Sequence, residues 1–234
     1  MTRQELKTQD EITTTLQKVV EFADARKKEL LIGGGALLVV VLAIVAWNYY
    51  SSTRNAAAQT QLSAVFVAFN DPTIKSEKER YEKAIAEAQK TVAAYGSLPA
   101  GIIAKYYIGL SQDGLGDTAN AVKTLQDVIA RGDSNTKPVA QFALAGIYKR
   151  HGELQTAIDT LKLLHDSGAY SKGAVAFELG KLHEANKQPD QAQFYYHQVI
   201  TDSTDSPFRQ DAEAGLKRMG FSLPAPAAPA PANP

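Results

Sequence analysis

The chain has 234 residues with 25 basic and 25 acidic side chains, so one compact domain plus appendages is the expected count. The balance leaves no basic stripe for nucleic acid. No cysteine occurs, which excludes thiol nucleophiles, thiolate zinc sites and disulfides together.

The first 29 residues hold 6 basic and 6 acidic side chains. Within them Ile12, Leu16, Val19, Val20 and Ala23 recur at the spacing of one helical face. A surface helix lying on a membrane or partner is expected there, or a marginal helix continuous with the apolar run that begins at Leu30.

Residues Leu30 to Tyr50 read LLIGGGALLVVVLAIVAWNYY, and no charge occurs from Leu30 to Thr53. A helix needs roughly 20 apolar residues to cross a bilayer, so the stretch predicts a transmembrane helix. A secretory signal has a shorter apolar core behind a short basic lead; here 29 residues precede the run. Lys18, Arg26, Lys27 and Lys28 lie before the span and only Arg54 follows it closely. The positive-inside rule then places the N-terminus in the cytoplasm and the larger domain outside. Trp47, Tyr49 and Tyr50 suit an outer aromatic belt. Gly33, Gly34, Gly35 and Ala36 would let another helix approach, although no Gly-x-x-x-Gly spacing is present.

Ala56–Phe69 is helical in composition, and Asp71-Pro72 breaks it. Glu77–Tyr95 reads as a second helix with Tyr81, Ala84, Ile85, Ala88, Val92 and Tyr95 on its apolar side; Gly96 and Pro99 stop it. Together these form a connecting segment and degenerate first hairpin over 51–99.

Residues 100–206 carry internal periodicity. A small residue (Gly109, Ala145, Gly180) precedes an alanine (Ala121, Ala157, Ala192) by the same interval in three aligned stretches. Gly116-Asp117 and Gly152-Glu153 mark the turns between, while the third stretch has Gln188-Pro189-Asp190 and no glycine. These residues resemble the tetratricopeptide repeat, a helix–turn–helix unit of about 34 residues. Its two helices cross closely, so small residues must leave room while Leu, Ile or Tyr fill the seam one turn away. The pattern departs from the repeat where a large aromatic usually opens the first helix, with Lys105, Gln141 and Ala176 standing there. The fold class expected is all-α: one N-terminal transmembrane helix, then a helical-repeat solenoid.

Ser206 and Pro207 look like N-cap and first residue of a closing helix over 207–222, ended by Gly220. Such a helix would cap the solenoid. Leu223–Pro234, LPAPAAPAPANP, has the composition of an extended polyproline II tail or spacer.

No catalytic constellation stands out. His151, His165, His183 and His197 fall on loops or helix surfaces without a His-Glu-x-x-His run. Ser111 sits mid-helix, and Asp113 stands where the second glycine of a Gly-x-Ser-x-Gly nucleophile elbow would be. Asp113 to Asp117 lacks the alternating oxygen ligands of a calcium loop. No enzyme activity, cofactor, metal or small-molecule substrate is therefore expected.

The candidate surface is a protein-binding groove lined by the first helix of each repeat. Tyr106, Phe142 and Phe177 recur at one position, Leu110, Gly146 and Lys181 at the next, and Asp113, Lys149 and Glu184 at a third. An aromatic ladder with a mixed polar rim suits an extended or helical peptide. The same rings would equally replace the missing aromatic in the core.

The layout as a whole is similar to the YfgM-like family of ancillary SecYEG translocon subunits. Ala84–Ala104, with its helix ending at Tyr95-Gly96, and Gly109, Gly116-Asp117 and Ala121 carry the likeness best. The resemblance implies a bacterial inner-membrane protein with a periplasmic domain that associates with the translocon and a periplasmic chaperone and assists exported proteins. It carries over no catalytic residue, and the Pro/Ala tail departs from it. Two rival readings stay open: a scaffold for envelope or cell-wall assembly, and a regulatory anchor signalling through its cytoplasmic tail.

Overall fold

The computed structural model describes residues 25–202 and 206–223. The amphipathic stretch Ile12–Ala23 and the Pro/Ala tail beyond Leu223 lie outside the described residues. Two compact units divide the chain, Met1–Ala56 and Ala57–Pro234. All regular structure among the described residues is helical.

Helix α1 spans Lys27–Asn70. It is long and apolar enough to cross a membrane, and none of its apolar stretch is buried. The helix stops where Asp71 Oδ1 accepts hydrogen bonds from the Thr73 backbone N–H at 3.0 Å and from the Thr73 hydroxyl at 2.6 Å. This Asx turn redirects the backbone just before Pro72 would have to continue it.

The second unit is built from the last turns of α1 and eight further helices among the described residues. These are α2 (Glu77–Tyr95), α3 (Pro99–Gly114), α4 (Thr118–Arg131), α5 (Thr136–Arg150), α6 (Leu154–Ser167), α7 (Lys172–Ala185), α8 (Pro189–Thr201) and α9 (Arg209–Arg218). Ser76 caps α2 by accepting the Glu79 N–H at 3.3 Å. Pro99 occupies the first turn of α3, where its missing N–H costs nothing. A Cβ at Gly101 would lie 2.1 Å from the Tyr95 carbonyl oxygen, so the tight α2–α3 junction requires glycine there.

Pairs α3/α4, α5/α6 and α7/α8 are antiparallel hairpins stacked in sequence, with α9 against α8 and α7. Each hairpin turn closes in one way. The N–H of Asp117 reaches Gln112 O at 2.8 Å, that of Glu153 reaches Tyr148 O at 2.9 Å, and that of Gln188 reaches His183 O at 2.8 Å. This is a Schellman closure, which needs a left-handed residue. Gly116 and Gly152 supply it at φ +82° and +79°, and Lys187 supplies it at φ +58° in the repeat without a glycine.

The seams explain the small residues. A Cβ on Gly109 would meet Leu125 at 2.9 Å, and one on Gly180 would meet the Tyr196 ring at 2.6 Å. Ala145 packs in one cluster with Ala157 and Leu161. In each hairpin the small residue of the first helix thus admits the residue one turn beyond the alanine of the second.

At the C-terminal end the helix begins later than Ser206-Pro207 suggests. Ser206 instead opens a turn, its hydroxyl accepting the Phe208 N–H and its carbonyl the Arg209 N–H, and α9 starts at Arg209. Tyr196 is fully buried between Gly180 of α7 and Gly215 of α9. Its hydroxyl donates to Glu184 at 2.8 Å, and Arg218 forks onto the same carboxylate at 2.8 and 3.0 Å.

Candidate functional site

The first helices of the repeats, α3, α5 and α7, place one residue per turn on a shared face, because positions three and four apart align on a helix. Between α5 and α7 this face opens into a cavity of about 290 Å³. Phe142, Gly146, Lys149 and Arg150 of α5 form one wall, Glu178 and Leu182 of α7 the other, and Ala145 and Leu161 the floor.

The walls are cross-linked by charge. Lys149 Nζ lies 2.8 Å from Glu178 across the cleft, and Lys181 reaches the same carboxylate at 3.0 Å. Burial opposes ionisation of Glu178, but the two ammonium groups outweigh it and hold its carboxyl below the usual range. Burial likewise opposes the charge on Lys181, and Glu178 more than restores it. Arg150 pairs with Asp113 of α3, and His151 lies 3.4 Å from that carboxylate.

The nine residues singled out in the sequence separate in space. Phe142, Gly146 and Lys149 line the cavity, and Lys181 joins it through Glu178. Asp113 is tied to Arg150 at its edge. Tyr106 and Leu110, half-buried on α3, are not part of its wall. Tyr106 packs against the core of the first two hairpins, with burial pushing its phenol up to about 12. Phe177 is buried, stacked on Phe208 at 5.1 Å, with the Lys181 ammonium 5.2 Å above its ring. Glu184 faces Tyr196 and Arg218 rather than the cavity.

Phe142 likewise stacks on Tyr170 at 4.9 Å. Tyr170 lies just before α7 and Phe208 just before α9, so each ring covers the aromatic of the preceding repeat. Sequence reasoning missed these two rings, and also Arg150 and Glu178. The usable signal was positional: an aromatic immediately ahead of the next first helix is set to fold back on its predecessor. Ahead of α5 stand Asp133, Ser134 and Asn135, and Tyr106 instead meets Tyr107 edge-on at 5.3 Å.

The histidines are dispersed. His151 sits beside Thr118 at 2.9 Å, His165 beside Gln198 at 3.1 Å and His183 beside Gln188 at 2.6 Å. No cluster of three or more potential metal ligands forms among the described residues.

A tetratricopeptide repeat-like domain model matches residues 29–217. The chain belongs to that family. Two solved structures of the kinesin light chain nearly identical TPR-like repeats of Podosopora anserina share the repeat-domain fold. One is a point variant with a TM-score of 0.55 and 20% identity. The other has a TM-score of 0.56 and 19% identity. Each alignment covers 69% of this chain and 84% of the other. At that identity the likeness is one of fold. No curated protein matches the sequence. Tetratricopeptide repeat-like domains are typically non-enzymatic scaffolds that bind proteins.

Proposed function

We propose that this protein is a non-enzymatic adaptor held in the bacterial inner membrane, with its repeat domain in the periplasm. Residues 1–29 form its cytoplasmic tail, 30–50 its transmembrane helix, 51–99 the degenerate first hairpin, 100–206 three repeats, 207–222 the cap and 223–234 a spacer. The observation that carries the reading is one membrane-length apolar helix ahead of a repeat domain with an open, mixed apolar and ionic cleft. Lys/Arg enrichment before the helix supports the orientation. Tethering raises the effective concentration of the cleft near membrane partners. Resemblance to the YfgM-like family points to the SecYEG translocon, a periplasmic chaperone and exported proteins as those partners.

Two experiments test this. Protease added to intact spheroplasts should digest the repeat domain and spare the N-terminal tail; the opposite pattern reverses the topology. A photocrosslinker at Gly146 in growing cells should capture translocon subunits or a periplasmic chaperone. Recovery of cytoplasmic proteins alone would remove the export role.

A further inference from the structure

We infer that the outer face of the C-terminal turns of α1 pairs with the same face of a second copy of this chain. The pairing takes its helix direction from the anchored reading above, and it adds a partner on a face other than the cleft.

The two ends of the repeat domain finish differently. A helix that buries one face normally turns charge toward water on the other, and a solenoid needs such polar faces at its ends. The closing helix α9 obeys: Arg209, Asp211, Glu213, Lys217 and Arg218 are five of its ten residues. The opening helix does not. Ala58, Leu62, Val65 and Ala68 of α1 are buried, yet no charge occurs from Asn55 to Asn70. The uncovered face opposite them holds Thr60, Ser63, Val67 and Asn70, with Val67 66% exposed and Phe66 beside it 38% exposed.

The chemistry of that face selects the occupant. Steps of three, four and three residues put Thr60, Ser63, Val67 and Asn70 on one line, as on the seam of a two-stranded coiled coil. In a parallel pair in register, each seam residue meets its own copy. Any charge would then face its like, which is costly. Self-pairing therefore demands a seam without charge, whereas a different protein could answer charge with charge. The polar groups are also ready for burial. The Ser63 hydroxyl donates to the Thr60 carbonyl at 2.6 Å, and the Asn70 amide donates to the Phe66 carbonyl at 2.9 Å. Covering them costs little, because each already has an acceptor in its own helix.

Area sets the conditions. From Thr60 to Asn70 the face is about 15 Å long and about 10 Å wide, so a pair buries roughly 300 Å² in all. A stable complex in free solution buries about 1,200 Å² or more. Pairing at this face needs help, and a shared bilayer supplies it. Copies inserted alike have parallel α1 helices, and confinement raises their effective concentration. The pair should form in membranes and separate in dilute detergent.

The chain has no cysteine, so single cysteines report the contact. In membrane vesicles carrying the full chain, mild oxidation should link Ser63→Cys and Val67→Cys copies into dimers. Exposed Gln155→Cys on α6 should link at least about tenfold less, for want of a held neighbour. Ser63→Asp and Ser63→Lys, each combined with Val67→Cys, should cut the dimer about tenfold by setting like charges face to face. Co-expressing the two with different tags should restore it as a mixed dimer. Circular dichroism checks that each variant stays helical. Dilution into detergent should lower the Val67→Cys link at least about tenfold.

No link at either position in vesicles overturns the inference, as does equal linking at Gln155→Cys or no recovery in the mixed pair. An undiminished link in dilute detergent reveals a contact larger than this face offers and overturns it too. A photocrosslinker at Val67 that captures a translocon subunit or chaperone in place of a second copy overturns the pairing and leaves the adaptor reading standing. Carbonate extraction, scored before oxidation, tests the anchored reading by itself. A chain released into the soluble fraction fails that reading, whereas a membrane-held chain without dimers fails only the pairing.

Discussion

The α3/α4 and α7/α8 seams solve one packing problem with different side chains. In the first, Leu125 fits under Gly109; in the last, Tyr196 fits under Gly180. Leucine has rotamers to spare and presses on no glycine of the next helix, although it shares a core cluster with Ala140 and Leu144 there. The tyrosine ring is too large for that. It needs a second glycine, Gly215, on the next helix, and its hydroxyl needs a partner, which Glu184 and Arg218 supply. A larger residue at one position thus converts an ordinary seam into the joint between the last repeat and its cap. The glycine on α9 and the fork of Arg218 are consequences of that tyrosine.

Removing the ring should have the largest effect. Tyr196→Ala is expected to cost about 3–5 kcal/mol, as for other buried aromatic truncations, read from urea unfolding followed by circular dichroism. Leu125→Ala should cost less, about 2–5 kcal/mol, and should leave α9 docked. If both variants release α9 equally in hydrogen exchange, the last seam is not special.

Methyl additions sharpen the contrast. Gly180→Ala puts a Cβ against a ring that Gly215 pins from the other side, and overpacking of this kind costs about 1–3 kcal/mol. Gly109→Ala meets a methyl and the Cγ of buried Leu125 at 2.9 Å, and alanine gains about 1 kcal/mol of helix propensity over glycine, which offsets part of the crowding. Its net loss should be smaller than that of Gly180→Ala. Equal losses at the two sites would show that Tyr196 is free to move.

The joint also carries a pH signature. Hydrogen bonding from Arg218 holds the Glu184 carboxyl below its ordinary value of 4.5, against some burial. A lowered folded value means the stabilisation is present above the unfolded pKa and is lost as pH falls through the folded one. The urea midpoint should therefore fall steadily below pH 4.5. Arg218→Gln should flatten part of that decline. The part due to Glu178, whose carboxyl is lowered in the same sense by Lys149 and Lys181, should remain. A profile unchanged by Arg218→Gln would deny the fork its ionic role.

The repeat was legible because its helices are held by local and periodic signals. Alanine and glycine at a fixed interval can leave room for only one kind of crossing, and Gly96 with Pro99 marks the stop of a helix. The occupant of each gap was less legible, since Leu125 and Tyr196 obey one pattern with different consequences. The candidate groove was legible only in part. Its register along α3, α5 and α7 follows from helix periodicity, but which rings stay open depends on residues about 30 positions later in sequence. Tyr170 covers Phe142, and Phe208 covers Phe177. Glu178 was passed over because it directly follows the aromatic position, where the turn of the helix aims it away from that ring. Across the cleft Lys149 makes it a wall.

The smallest expected effect tests the turn that differs. Lys187 occupies the left-handed position that Gly116 and Gly152 fill in the other hairpins. A side chain there meets its own backbone, costing roughly 1–2 kcal/mol. Replacing it with glycine removes that strain but frees the unfolded chain, which returns roughly 0.4–1 kcal/mol of the gain. Lys187→Gly should therefore raise stability by at most about 1.5 kcal/mol, while Gly152→Lys should lower it by a comparable amount. A two-variant urea series resolves the sign. If Lys187→Gly destabilises, the lysine side chain contributes more through its surroundings than the turn loses in strain, and the third hairpin has found its own way to close without glycine.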